Sequence, residues 1–245
     1  MEHYYHVYGL RLQSNRPLSL LPAQPRATAD LVVNWTSDKS QSPDARLNWE
    51  QVLTAELKQR NGITLWRGTS SEGIFTKLRY NTAKACVDFL LDPRRQELWI
   101  IYSEDDAETD LQSYFVGPAL GCILRLRDTV CLHASVVKVD DRAVAIVGRK
   151  KSGKSTSAAG LAQLGAAVLS DDMAVLGPQN SHFLVQPGYP QIRLWPRSIE
   201  AVYPASGHLP KVYTHRDKRY LHLGGRPGGV FWPWPLHWSY IWIRT

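Results

Sequence analysis

The 245-residue chain is 44% hydrophobic and 21% charged, globular values that exclude wholesale disorder in a chain long enough for two domains of ordinary size. Its three cysteines, Cys86, Cys122 and Cys131, show neither a CxxC nor a His-paired spacing, which argues against a disulfide framework or zinc site and for a reducing, cytoplasmic setting. The net charge of +7 is uneven: residues 1–130 hold 15 Lys+Arg and 16 Asp+Glu, whereas residues 131–245 hold 14 and 6, so the basic surface belongs to the C-terminal half.

The opening, MEHYYHVYGLRLQSNRP, carries acid and histidine where a leader would have a basic segment and an apolar run. No stretch reaches the roughly 18 apolar residues of a membrane span, so neither export nor membrane is expected. HYYHVYGLRLQS (3–14) reads as one strand and ADLVVNWT (29–36) as a second, with Pro17, Pro22 and Pro25 punctuating the interval. Residues 37–60 are polar and give no element. GITLWRG, GIFTKLRY, ACVDFLLD and ELWIIYS then recur at short intervals as strands of a mainly β module. In residues 106–128 the period changes: Leu111, Tyr114, Phe115, Leu120, Ile123 and Leu124 fit an amphipathic helix interrupted at Gly117-Pro118. That helix closes an N-terminal module, 1–128, and leaves a second domain, 129–245.

CLHASVVKV (131–139) and RAVAIVG (142–148) flank Asp140-Asp141 as two apolar runs about a two-residue turn. A loop of that length sets Val139 opposite Arg142 and, counting back, His133 opposite Gly148. Gly148, Gly153, Lys154 and Ser155 satisfy G-x-x-x-x-G-K-[ST], the Walker A phosphate loop, between an apolar run and a segment of good helix formers that stops at Gly165. Backbone N–H groups from Gly148 through Arg149, Lys150, Lys151, Ser152 and Gly153 to Thr156 would cradle phosphate, with Lys154 on the β- and γ-phosphates and Ser155 on Mg²⁺. Arg149-Lys150-Lys151 stands where small or neutral residues are common and is expected to project outward as a basic rim.

AAVLSDDMAVL (166–176) is a strand followed by paired aspartates. The unit from Ala143 to Leu169 is β-loop-α-β, so its strands should be parallel, with loop and aspartates at carboxyl ends. Neighbouring strand residues face opposite ways, so the two carboxylates suit two jobs: Asp172 on Mg²⁺, Asp171 accepting the proton of an attacking hydroxyl. The hairpin register brings His133 to the same level, to touch phosphate or metal or to orient Asp171. No helix-turn-helix, RNP or zinc-finger pattern occurs, so nucleic acid is not an expected partner.

Together, LHASVV, VAIVGRKKSGKST and LSDD resemble the HPr kinase/phosphorylase family, in particular the short HPr-kinase-like proteins of peptide-tailoring systems such as lasso peptide clusters. The resemblance covers residues 131–176, extends through PGYPQIRLWP (187–196) and DKRYLHLG (217–224), and includes the opening YYHVYGLRL and GPALG. It implies an α/β protein with a P-loop kinase-like C-terminal domain of HPr kinase type and a smaller mainly β N-terminal module. It also implies an ATP- and Mg²⁺-dependent serine kinase whose active centre is His133, Lys154, Ser155, Asp171 and Asp172, with a protein or peptide hydroxyl as acceptor. Homo-oligomerisation is compatible with it.

The family's ERGxG-like segment is not visible after residue 176, which speaks against phosphorylase activity. Arg193 and Lys218-Arg219 are the remaining cation candidates for phosphoryl charge. VFWPWPLHWSYIWIRT (230–245) reads as a final strand rich in tryptophan. A small-molecule kinase, a plain NTPase and a non-catalytic nucleotide-binding regulator stay open beside the protein kinase.

Overall fold

The computed structural model describes residues 1–57, 61–81, 86–140, 142–179, 182–189, 191–223 and 240–242. The protein is mixed α/β and divides into two compact units, Met1–His6 with Leu10–Arg127, and Val7–Gly9 with Asp128–Thr245.

The first unit is built on an eight-stranded sheet ordered β1-β2-β3-β8-β7-β6-β5-β4. Its strands are β1 (His3–Val7), β2 (Leu10–Ser14), β3 (Leu31–Thr36), β4 (Asn48–Leu57), β5 (Asn61–Ser70), β6 (Gly73–Asn81), β7 (Cys86–Leu91) and β8 (Glu97–Ile101). Residues 3–14 are therefore two strands and not one. Tyr8 and Gly9 both take positive φ, 55° and 78°, the backbone of a tight two-residue turn that a tyrosine does not announce. β4 is a strand the polar segment concealed. It is the last strand of the sheet, with Val52 45% and Leu53 58% exposed, so it lacks the buried alternate face that makes a strand readable.

After β8, α1 (Glu108–Tyr114), a π-helical turn (Phe115–Ala119) and α2 (Leu120–Leu126) follow without a break. The turn contains Pro118, whose missing N–H and ring the wider winding accommodates. Leu111, Phe115, Leu120 and Leu124 are fully buried. Ala119, Cys122 and Ile123 share a small gap with Leu78, Phe89 and Leu98 of the sheet, so the helical face predicted from its period is the one that covers β6 to β8.

In the second unit β9 (Val130–Leu132), β10 (Ala134–Val139), β11 (Arg142–Val147), β12 (Ala167–Ser170), β13 (Ala174–Gln179), β14 (His182–Gln186) and a short β18 (Tyr240–Trp242) form one sheet, ordered β12-β10-β11-β18-β14-β13-β9. A three-stranded sheet, β15-β17-β16, joins β15 (Gln191–Leu194), β16 (Lys211–Tyr213) and β17 (Arg216–His222). Helix α3 (Lys154–Gln163) follows the phosphate loop, and α4 (Pro196–Val202) follows β15. Of the tryptophan-rich tail, residues 230–239 and 243–245 lie outside the described residues.

Val139 pairs with Arg142 and Ala134 with Val147, the register a two-residue turn dictates. CLHASVVKV is broken at His133: β9 pairs with β13, while β10 pairs with β11 and β12. Because β10 is antiparallel to both, β11 and β12 run parallel with β10 between them, not as neighbours. Ala158, Ala159 and Ala162 of α3 pack with Val137, Val168, Ile192, Leu194 and Leu221 in one core cluster; their small side chains let the helix lie close to the strands. At its end Gly165 takes φ 95°, with Gly165 N–H donating to Ala162 O and Ala166 N–H to Leu161 O, a Schellman stop.

Candidate active site

The strand register assembles the site. Ala145 of β11 and Ser170 of β12 both sit opposite Val136 of β10, so β11 and β12 deliver their carboxyl ends to the same sheet edge, two strand spacings or about 10 Å apart. From β11 the chain enters Gly148–Gly153, and from β12 it enters Asp171-Asp172. His133, at the break just before β10, precedes the strand that lies between them.

Lys151 and Gly153 take positive φ, 69° and 90°, and Gly153 caps α3 with no side chain bonded to the helix N-terminus, leaving N–H groups to be satisfied from outside. The Lys154 side chain is buried and folds back, Nζ donating to the Gly148 and Arg149 carbonyls at 3.0 and 3.1 Å. A Cβ on Gly148 would meet Ser152 Oγ at 2.7 Å, so a larger residue there would have to turn that hydroxyl away. Arg149, Lys150 and Lys151 are exposed. Ser155 is half-buried in the first turn of α3, and Thr156 Oγ1 donates to Ser198 Oγ of α4 at 2.9 Å.

The aspartates occupy different environments. Asp171 is 3% exposed and accepts from Ser135 Oγ at 2.6 Å and from the Arg193 backbone N–H at 2.9 Å. Burial, then the neighbouring Asp172 charge, pushes its carboxyl above the usual aspartate range despite those bonds. Asp172 turns outward through a left-handed backbone, φ 67°. Lys218 Nζ stands 3.5 Å from its Oδ1 and Arg193 Nη1 3.4 Å from its Oδ2. Burial works against its charge, but Lys218, Arg193 and His133 together hold its carboxyl below the usual range. His133 Nδ1 bonds the Asp172 carbonyl at 2.8 Å; a carbonyl only accepts, so Nδ1 carries the proton of this bond. The histidine is thus tied to Asp172 and not to Asp171.

Alternation in β15 explains the two cations. Ile192 and Leu194 enter the core under α3, so Gln191 and Arg193 face the other way. Arg193 pairs with Tyr220, two residues from Lys218 on the same face of β17. Arg193 is 5% exposed, its guanidinium 5.4 Å from the Tyr189 ring and 5.6 Å from the Tyr220 ring. Among the described residues its Nε and Nη2 have no hydrogen-bond partner; the two tyrosine rings supply their electrostatic compensation. Arg219 takes a different part, donating to the Leu209 carbonyl at 3.1 Å.

Sequence reasoning missed Ser135, Tyr8, Tyr189 and Tyr220. Ser135 had a signal, since it lies two residues after His133 on one strand run and so shares its side. No protein-family model matches the chain, and comparison with the curated proteins and with the solved structures finds no match.

Proposed function

We propose that the chain is an ATP- and Mg²⁺-dependent kinase, its second unit P-loop kinase-like and of HPr kinase type, that transfers the γ-phosphoryl group to a serine hydroxyl of a protein or peptide. The observation that carries the reading is the shared sheet edge: a glycine-shaped loop running into a helix N-terminus, and a pair of aspartates driven apart in proton affinity, leave parallel strands on either side of β10. Lys154 exchanges its two carbonyl partners for β- and γ-phosphate oxygens. Asp171, whose environment raises its affinity for a proton, takes the proton of the serine hydroxyl as its oxygen bonds to phosphorus and the bond to the departing diphosphate breaks. His133 holds the Asp172 carbonyl and Lys218 its carboxylate.

The donor set fits Mg²⁺ brought in with the nucleotide. The Ser155 hydroxyl and the ionised Asp172 carboxylate are hard oxygen donors, and such an ion needs only one or two protein ligands beside phosphate and water. When bound, it neutralises charge on the β- and γ-phosphates.

Incubating the purified chain with γ-labelled ATP and serine-containing peptides tests the proposal. Label is expected on serine, and Lys154→Ala is expected to lower transfer by about 100-fold or more. Equal transfer by both proteins sinks the reading; phosphate released to water without regard to acceptor turns it into a hydrolase.

A further inference from the structure

Arg193 reaches both aspartates, each through a different part of itself. β15 is an outer strand of its sheet, so N–H groups along its free edge need partners from outside that sheet. The Arg193 N–H finds one in Asp171 Oδ2 at 2.9 Å. The side chain goes to the other aspartate, Nη1 standing 3.4 Å from Asp172 Oδ2. Any residue but proline at this position can make the first bond. The second belongs to the side chain alone.

The guanidinium is enclosed. Arg193 is 5% exposed, and Tyr189 and Tyr220, whose rings it lies against, are buried as well. Tyr8 meets Tyr189 edge-on in turn, ring centroids 6.3 Å apart at 85°. A charge shut away from water stays where its compensation is, here the Asp172 carboxylate and the two rings. Lys218, which also faces Asp172, keeps 21% of its side chain exposed and so retains contact with water. Enclosure also withholds the Arg193 guanidinium from a nucleotide, so it acts through Asp172. That aspartate needs a fixed partner, since its φ of 67° is a backbone that only its surroundings maintain.

We infer that Arg193 is a positioning residue for the aspartate pair: its backbone anchors Asp171 to the edge of β15, and its enclosed guanidinium sets the Asp172 carboxylate relative to that anchor. The catalytic consequence rests on the kinase reading; the positioning itself does not.

Two variants of the full chain test it: Arg193→Met, which fills similar space without charge, and Arg193→Lys, which keeps the charge on a more compact head. In crystal structures of both, the Asp172 carboxylate is expected to move, by about 1 Å or more in Arg193→Met and by less in Arg193→Lys, while Asp171 still accepts from the N–H of residue 193. In the transfer assay kcat falls roughly 100-fold in Arg193→Met and roughly 10-fold in Arg193→Lys. The KM for ATP changes less than about threefold in either, because the phosphate loop is untouched. An Asp172 carboxylate in its wild-type place in whichever variant folds overturns the inference. So does loss of the Asp171 bond along with it, which makes the side chain a support of β15 itself, and so does failure of both variants to fold. If wild type transfers no phosphate, the kinase reading fails alone, and the place of the Asp172 carboxylate in the variants still decides the role of Arg193.

Discussion

Two adjacent carboxyl groups on one strand end titrate in opposite senses because their environments differ. Asp171 has lost water and sits beside a negative neighbour, while Asp172 faces Lys218, Arg193 and His133. A folded-state pKa raised above the unfolded value of about 3.9 means that the native state binds this proton more tightly. Stability from Asp171 is therefore fully present below the unfolded pKa and lost as pH rises through the folded one. Replacing it by asparagine removes the loss. The amide oxygen can accept from Arg193 N–H while its NH₂ donates to Ser135 Oγ, so the two bonds survive with the serine turned round. Asp171→Asn is expected to raise the thermal midpoint at pH 8 by about 2–4 °C, the change that ~1 kcal/mol makes in a chain of this size, and to lose that advantage toward pH 4. A melting series across pH checks it; a variant less stable than wild type at pH 8 contradicts the assignment. The same variant should be inactive, a stability–activity conflict of the kind strained active sites create.

Among the elements, α3 offers a paired test of backbone argument against steric argument. Among the described residues, neither Gly160 nor Gly165 has an atom of another part of the chain within 4 Å of the place a Cβ would occupy, so space does not separate them. Conformation does: Gly160 lies inside the helix, while Gly165 ends it at φ 95°. Gly160→Ala is expected to stabilise by about 0.5–1 kcal/mol through helix propensity, and Gly165→Ala to destabilise by about 1 kcal/mol. Urea unfolding of the two variants measures both, and a shared sign overturns the account. The same contrast explains what was legible in the sequence. Helix α3, its stop, and β5 to β8 announce themselves through apolar runs and punctuation; β7 is buried without a break from Val87 to Leu91. Edge strand β4 buries too little to show a period, and the turn at Tyr8-Gly9 uses a residue type that seldom takes positive φ. At the site, the loop and the aspartates were readable because their chemistry is written within a few residues. Tyr189 and Tyr220 were not, since each matters only where distant segments converge on Arg193.

For the whole molecule the informative quantity is the placement of charge. Residues 1–130 carry 15 basic and 16 acidic side chains and are close to neutral, whereas residues 131–245 carry 14 and 6. The surplus lies in the half of the chain that holds a loop whose own Arg149, Lys150 and Lys151 are exposed. Charges in water act only across a screening length of about 10 Å at 0.1 M salt, shorter as salt rises. On the kinase reading, an anionic nucleotide drawn to the loop should therefore bind progressively less well on adding salt, and these three residues should account for most of the loss. The buried Lys154 and the helix N-terminus act at contact distance, where screening is weak. Between 50 and 200 mM NaCl, ATP affinity is expected to fall about 5-fold in wild type but only about 2-fold when Arg149, Lys150 and Lys151 are all changed to Ser. At 200 mM the two proteins should approach one another, because what remains is the backbone cradle they share. Titration of ATP by calorimetry at several salt concentrations measures the slopes. Equal slopes would assign the three cations a local part in holding the loop, and would leave the basic surface without influence on nucleotide capture.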